Sequence, residues 1–469
     1  MKTITKKVRY AATVLAISTL TTSFSGVVIA NEPAIRQEKT PSIKKIMDVD
    51  SIWDESNQEL TSIRHGVPAY NEMNIVYRRD GSPLLDVELK APIVLSVASK
   101  PEGWGYFQFP RIYRSATGQI VATWSYHDDD ATSYGKEVRG FILSSDNGKT
   151  WHLSEQPAPW GDGLLLPASG DRISIHDPVP IPFSELQLPQ PAHTFTERVK
   201  PISYYRLSEI PAALQGVYLN HWNRDGVWSK IHAGLEDPGA CRHSVGDIFP
   251  LVWWGDMKLL PDNSIVAGIY PMFYERESGG FDPAGVSFYR TTDYGMNWKI
   301  LGKIPYLPDL TVDPNGNRRY FLGFSEPAFE ILSDGTFLCV MRTDDAFGFS
   351  PMYLSRSSDQ GVTWSHPKAF TPHGVLPRLL QLENGVLVLA SGRPSVQVRF
   401  SIDGKGEKWT DPFDMLPFIG LGEVSCGYTN ILATGPDSFL IIYSDFKYLN
   451  QQNEVRKAIK IREIKVTKK

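Results

Sequence analysis

The chain has 469 residues, 42% of them hydrophobic and 21% charged, which is the balance of a globular protein with ample core. Its formal charge of −4 becomes about −8 once the basic residues Lys2, Lys6, Lys7 and Arg9 are removed with a leader. A net negative chain is a poor partner for nucleic acid or an anionic membrane surface. Small anionic ligands stay open, because they respond to local fields.

Those four basic residues precede the apolar run 11-AATVLAISTL-20, and Val28, Ile29 and Ala30 offer a small-residue cleavage site. The pattern predicts a signal peptide over 1–30 and therefore a secreted or periplasmic protein. Thr21, Thr22, Ser23 and Ser25 interrupt the run, which disfavours a spanning helix, and no other long apolar run follows. Residues 31–64 read as a polar, irregular leader, and 65–469 as the folded unit. Cys241, Cys339 and Cys426 are too few and too scattered for a disulfide framework or a metal cluster. One bridge at most is allowed, and Cys339, inside 336-TFLCVM-341, reads as a buried small hydrophobe.

From about residue 66 the chain is short β-like runs punctuated by Gly, Asn and Asp. The segment 205-YRLSEIPAALQ-215 is the best candidate for a turn or two of helix. Two signatures repeat. The first, Ser/Thr-x-Asp-x-Gly-x-x-Trp, occurs at 144–151, 291–298 and 357–364, with a copy one residue longer at 401–409. Asp can bond the turn's own backbone, Gly supplies a positive φ, and Trp packs between neighbouring sheets.

The second signature is Pro followed eight residues later by Gly, before an alternating apolar run. It appears at 110-PRIYRSATG-118, 327-PAFEILSDG-335 and 377-PRLLQLENG-385, with looser versions at Pro250 and Thr429. Each copy reads as an inner strand, a tight turn and a second strand. Units of this length repeating along a chain predict blades around an axis. The count is six, at about 107–160, 161–240, 245–305, 318–370, 374–415 and 420–466. The last is closed by strands from 66–100, and 161–240 lacks the Asp-containing turn.

In such a ring the first residues of the inner strands crowd one end of a central channel. The residue just before the repeat's proline is Phe109 or Glu326, and Tyr428 holds that register in the looser copy. Three copies of the Asp turn, with Glu326 opening a strand, Arg342 closing the next and Tyr428 opening a later one, resemble the exo-sialidases. That is the sialidase (neuraminidase) superfamily of Asp-box propellers. The resemblance implies an all-β, six-bladed β-propeller and a retaining glycosidase acting on terminal sialic acid or a related acidic sugar. It also implies a tyrosine nucleophile, here Tyr428, with Glu326 as its base. A neutral phenol avoids the repulsion that a carboxylate nucleophile would meet at a carboxylated anomeric carbon.

The substrate carboxylate calls for guanidinium partners, for which Arg342 and Arg393, in 391-SGRPSVQVRFS-401, are the candidates, with Arg399 as fallback. The general acid is sought in 124-WSYHDDDATSYG-135, among Asp128, Asp129 and Asp130, with Asp130 preferred by its distance from the Asp turn. The resemblance breaks at one point. The family's first carboxylate-binding arginine aligns with Gln108, which brings no charge and weakens the grip by roughly tenfold or more. Arg111 is close in sequence, yet plain strand alternation turns it away from Gln108's side. No metal site, phosphate loop or Ser-His-Asp arrangement is visible, and the resemblance implies no cofactor. The expected partner is a glycan or glycoconjugate. The other readings are a propeller that binds glycan or protein without catalysis, and a propeller glycosidase for a different sugar.

Overall fold

The computed structural model describes residues 47–48 and 70–469, apart from 79, 137, 197–199, 345–349 and 418–425. The expected signal peptide, and all of the 31–64 leader but 47–48, lie outside the described residues. What is described is almost entirely β, with one four-residue α-helix, Ala212–Gln215, and three short 3-10 turns. Among the described residues no helix is long and apolar enough to cross a membrane.

Each repeat folds as an antiparallel meander. Gln108–Arg114 pairs with Ile120–Ser125 and then Arg139–Ser144. Phe324–Ile331 leads a four-stranded sheet, and Val375–Gln381 leads another. The strands opening at Leu164, Trp254 and Thr429 lead the remaining units. These first strands, or the residues just before them, contribute walls to one cavity. Early and late strands of the described chain meet in one sheet, where Val455–Lys468 pairs with Ser438–Leu449 on one side and with Pro83–Leu89 and Ile93–Val97 on the other.

One sequence expectation needs correction. The stretch 161–240 is not one simple unit. Leu164–Leu166, Asp171–Ile175, Val217–Trp222 and Trp228–Glu236 form its meander. Between them the chain departs to build a separate sheet in which Ile202–Arg206 pairs with Ala240–Val245. The unit then joins its neighbour through a parallel pairing of Gly234–Glu236 with Asn297–Lys299, in place of the Asp-containing turn it lacks. The sheets therefore do not divide one per repeat. The turn of helix expected within 205–215 is present at 212–215, while the first residues of that stretch belong to the inserted strand. The three cysteines are free and buried.

The Asp turns are built as their composition demands. In the first, Asp146 Oδ1 accepts from the Lys149 and Thr150 amides at 3.0 and 2.9 Å. The Gly148 amide donates to Ser144 Oγ, and Trp151 Nε1 donates to the Gly148 carbonyl at 3.1 Å. Gly148 has φ +91°, which favours glycine, and a Cβ there would also have to displace Leu440 Cδ1 of the adjoining unit, 2.5 Å away. The longer copy at 401–409 keeps the same bonds, with Trp409 Nε1 reaching Gly406 O at 2.9 Å. Each Trp packs where two units meet: Trp364 stacks on Phe288 at 4.1 Å.

These turns carry a pH signature. Hydrogen bonds from the Thr363 hydroxyl and amide pull the Asp359 carboxyl down from 3.8 to about 2, and Asp146 is lowered in the same way. A depressed folded pKa adds stability that is complete above the unfolded value and disappears as pH falls toward the folded one. The melting temperature should therefore drop between about pH 4 and 2. Asp359→Asn should show a lower plateau and a shallower drop in circular-dichroism melts; an equally steep drop would contradict the assignment.

Candidate active site

The residue before each repeat's proline is aimed by a bulge. Ladder registers jump between Gln108 and Arg111, between Ser325 and Ala328, and between Val375 and Arg378. Inside those jumps Phe109, Glu326 and Leu376 adopt φ of 48°, 47° and 44°. Positive φ in large residues before proline is strained backbone, tolerated only where the surroundings enforce it. Here three units enforce it at one place.

Glu326 is the hub. Its Oε1 accepts from Arg342 at 2.7 Å and from the Tyr428 hydroxyl at 3.0 Å, while its Oε2 accepts from the Leu376 amide at 2.8 Å. Arg342 Nη1 also lies 3.4 Å from the phenol oxygen. Residues far apart along the chain, 326 and 428, thus share one proton position beside a guanidinium. Burial, reinforced by the Glu326 charge and opposed by Arg342 and Arg393, pushes the Tyr428 phenol well above its ordinary pKa. The resting hydroxyl is neutral.

Aromatic rings frame the pair. Phe109 stacks on Tyr428 with centroids 4.8 Å apart, and the Arg393 guanidinium lies 5.7 Å from the Tyr428 ring and 4.9 Å from Trp104. The Arg393 amide donates to Cys426 Sγ at 3.1 Å. The adjoining cavity, of about 650 Å³, is within the usual range for small-ligand sites. Trp254, Tyr134 and Tyr270 line it, as do Arg342 and Asp129.

Asp130, the preferred acid from spacing, sits away from the cavity walls. Its carboxylate caps the short turn 131–133, accepting from the Thr132 amide and hydroxyl, which lowers its pKa. It is not among the cavity walls, whereas Asp128 and Asp129 are. Asp129 Oδ2 accepts from Trp104 Nε1 at 2.8 Å. Although the residue as a whole is exposed, protein crowds its carboxyl end, and its pKa is raised. Desolvation is the main cause and Glu326 adds to it; Trp104, Arg342 and Arg393 oppose. A capping turn is a local feature that the spacing of three consecutive aspartates conceals.

Gln108 and Arg111 exchange their expected positions. Gln108 is fully buried, with Oε1 taken by the Gly105 amide and Nε2 packed toward Gly427, and it does not line the cavity. Arg111 does, with Nη1 3.9 Å from Asp162 Oδ2. The bulge at Phe109–Pro110 resets the alternation that would have turned Arg111 away. Arg399 is buried in the Gln397–Ser401 strand near Asp411 and Asp414, outside the cavity walls. Trp253 packs against Trp298 and Trp124 joins a core cluster, whereas Trp254 lines the cavity. Sequence reasoning missed Leu376, whose amide holds Glu326, although the Pro377 repeat pointed to it.

No family model and no curated protein matches this sequence. Among solved structures, a protein of unknown function from Dyadobacter fermentans DSM 18053 overlays 81% of this chain and 99% of its own. The identity is 14% and the TM-score 0.54. A Hadza microbial sialidase, Hz136, matches at 14% identity, over 77% of this chain and 65% of its own, with TM-score 0.42. A Streptococcus pneumoniae NanB sialidase mutant matches at 14%, over 79% and 70%, with TM-score 0.43. The Dyadobacter likeness is one of fold, and the looser sialidase overlays assign no residue a role. The chain is an all-β propeller, and its site has to be argued from its own atoms.

Proposed function

We propose that this protein is a retaining exo-glycosidase that removes a terminal sugar, sialic acid or a related acidic residue, from glycoconjugates outside the cytoplasm. The observation that carries the reading is the Tyr428 hydroxyl 3.0 Å from Glu326 Oε1, with Arg342 against both, at the wall of a cavity. A binding surface needs no phenol poised on a base; a nucleophile does.

In the first half-reaction Tyr428 oxygen bonds to the anomeric carbon as its proton passes to Glu326. The glycosidic bond breaks and Asp129 protonates the departing oxygen. In the second, Asp129 takes a proton from water, whose oxygen attacks the same carbon; the bond from that carbon to the Tyr428 oxygen breaks, and the phenol recovers its proton from Glu326. Two displacements retain the anomeric configuration. Arg342 steadies the negative charge that develops on the phenol oxygen.

Gln108 favours the second reading, a propeller that binds a glycan without cleaving it, because the expected charged clamp is missing there. An aryl α-sialoside and a panel of other aryl glycosides separate the two: release of the aryl group with a product of retained configuration by NMR supports catalysis, and silence on every glycoside removes it.

The raised Asp129 pKa gives a further expectation. An acid must be protonated to act, so the rate should fall as pH climbs through a value above the ordinary carboxyl range. Asp129→Asn should lose that limb and about 10²-fold in kcat. Trp104→Phe, which removes the N–H opposing the shift, should move the limb upward. Asp130→Ala should leave kcat within a few-fold. A normal profile in Asp129→Asn would return the acid's role to Asp128.

A further inference from the structure

Four arginines line the cavity, and three have protein acceptors. Arg342 is held by Glu326; Arg139 donates to the Phe109 carbonyl and Thr123 Oγ1; Arg111 leans toward Asp162. Arg378 makes no hydrogen bond or ion pair among the described residues, and its Nε is buried without a partner. A half-buried guanidinium whose Nε lacks an acceptor is a cost to the fold. The Asp256 and Glu326 charges offset this burial only in part, and neither carboxylate bonds the guanidinium. Asp256 accepts from its neighbour's amide and lies 3.5 Å from Lys258, and both oxygens of Glu326 are occupied.

The position is built rather than incidental. Arg378 follows Pro377 just as Arg111 follows Pro110, so the same bulge delivers both to the cavity. Leu376, two residues earlier, supplies the amide that fixes Glu326. The cavity as a whole does not attract anions, because its four arginines face six aspartates and Glu326. An anion is accommodated only where a guanidinium is uncommitted.

We propose that Arg378 is the anchor for an oxyanion substituent of the sugar, a carboxylate or a sulfate, replacing the charged contact that Gln108 does not make. Arg111 lies on the same cavity wall. Guanidinium forks suit both groups, since each presents coplanar oxygen pairs. The assignment rests on the cavity being a sugar site, but not on turnover.

Calorimetric titrations test it at low ionic strength, using glucuronic acid, N-acetylneuraminic acid, glucose 6-sulfate and glucose. The wild type and Tyr428→Phe should both bind at least one acidic sugar and not glucose, and the carboxylate and sulfate arms say which oxyanion is preferred. Arg378→Gln should weaken that binding by about tenfold or more, with Arg378→Lys in between. Arg378→Gln should also melt at the wild-type temperature or above, since it removes an unpaired charge; a purely structural arginine would give a lower melt. Unchanged affinity in Arg378→Gln, equal binding of glucose, or no binding by the wild type overturns the proposal. Arg378-dependent binding without hydrolysis would sink the glycosidase reading alone.

Discussion

Replacing Tyr428 by Phe should leave the fold intact and lower kcat by about 10³-fold or more on every glycoside that the wild type cleaves. The ring is 5% exposed and stacks on Phe109, and Phe keeps both its volume and its stacking face. Only the oxygen is lost, and with it the atom that bonds the anomeric carbon. Arg342 keeps its 2.7 Å contact with Glu326, so no charge is stranded and the melting temperature should hardly move. Steady-state kinetics beside a melt decide the matter. A variant within tenfold of wild type would mean that Glu326 or water attacks directly, and the phenol would then be a wall rather than a nucleophile.

How far the site could be read from sequence depends on the range of the forces involved. The Asp turns were legible because their bonds close within a few residues: Asp146 to Thr150, Trp151 to Gly148. The meeting of Glu326 and Tyr428 was legible because a repeated register sends both to the axis. Arg111 was not, because one bulge reverses the alternation on which such reasoning depends. Asp129 could not be told from Asp130, since what distinguishes them is Trp104 bonding the one and Thr132 the other. The inserted sheet was hidden as well, because Ile202–Arg206 finds its partner at Ala240–Val245, beyond an intervening hairpin.

Glu326 variants should separate chemistry from architecture. In Glu326→Ala, Arg342 loses its carboxylate and the Leu376 amide its acceptor. Removing one partner of a largely buried pair typically costs about 3–5 kcal/mol, so urea unfolding should show a marked loss of stability together with no measurable turnover. Glu326→Gln keeps the shape and one carbonyl oxygen, which can serve Arg342 or the Leu376 amide but not both as fully. Its stability loss should be smaller. Its kcat should still fall by about 10²- to 10⁴-fold, since an amide cannot take the phenol's proton. The decisive comparison is the double variant. If Glu326 acts on the substrate only through Tyr428, adding Tyr428→Phe to Glu326→Gln should lower kcat far less than it does in the wild type, because the base has already been lost. Multiplicative losses would instead assign the two residues separate tasks, and a Glu326→Gln enzyme near wild-type rate would place the proton acceptor elsewhere. Because Glu326 also holds the strained Leu376 turn that precedes Arg378, the Ala variant should loosen the proposed anion anchor too, whereas the Gln variant should leave acidic-sugar affinity close to that of the wild type.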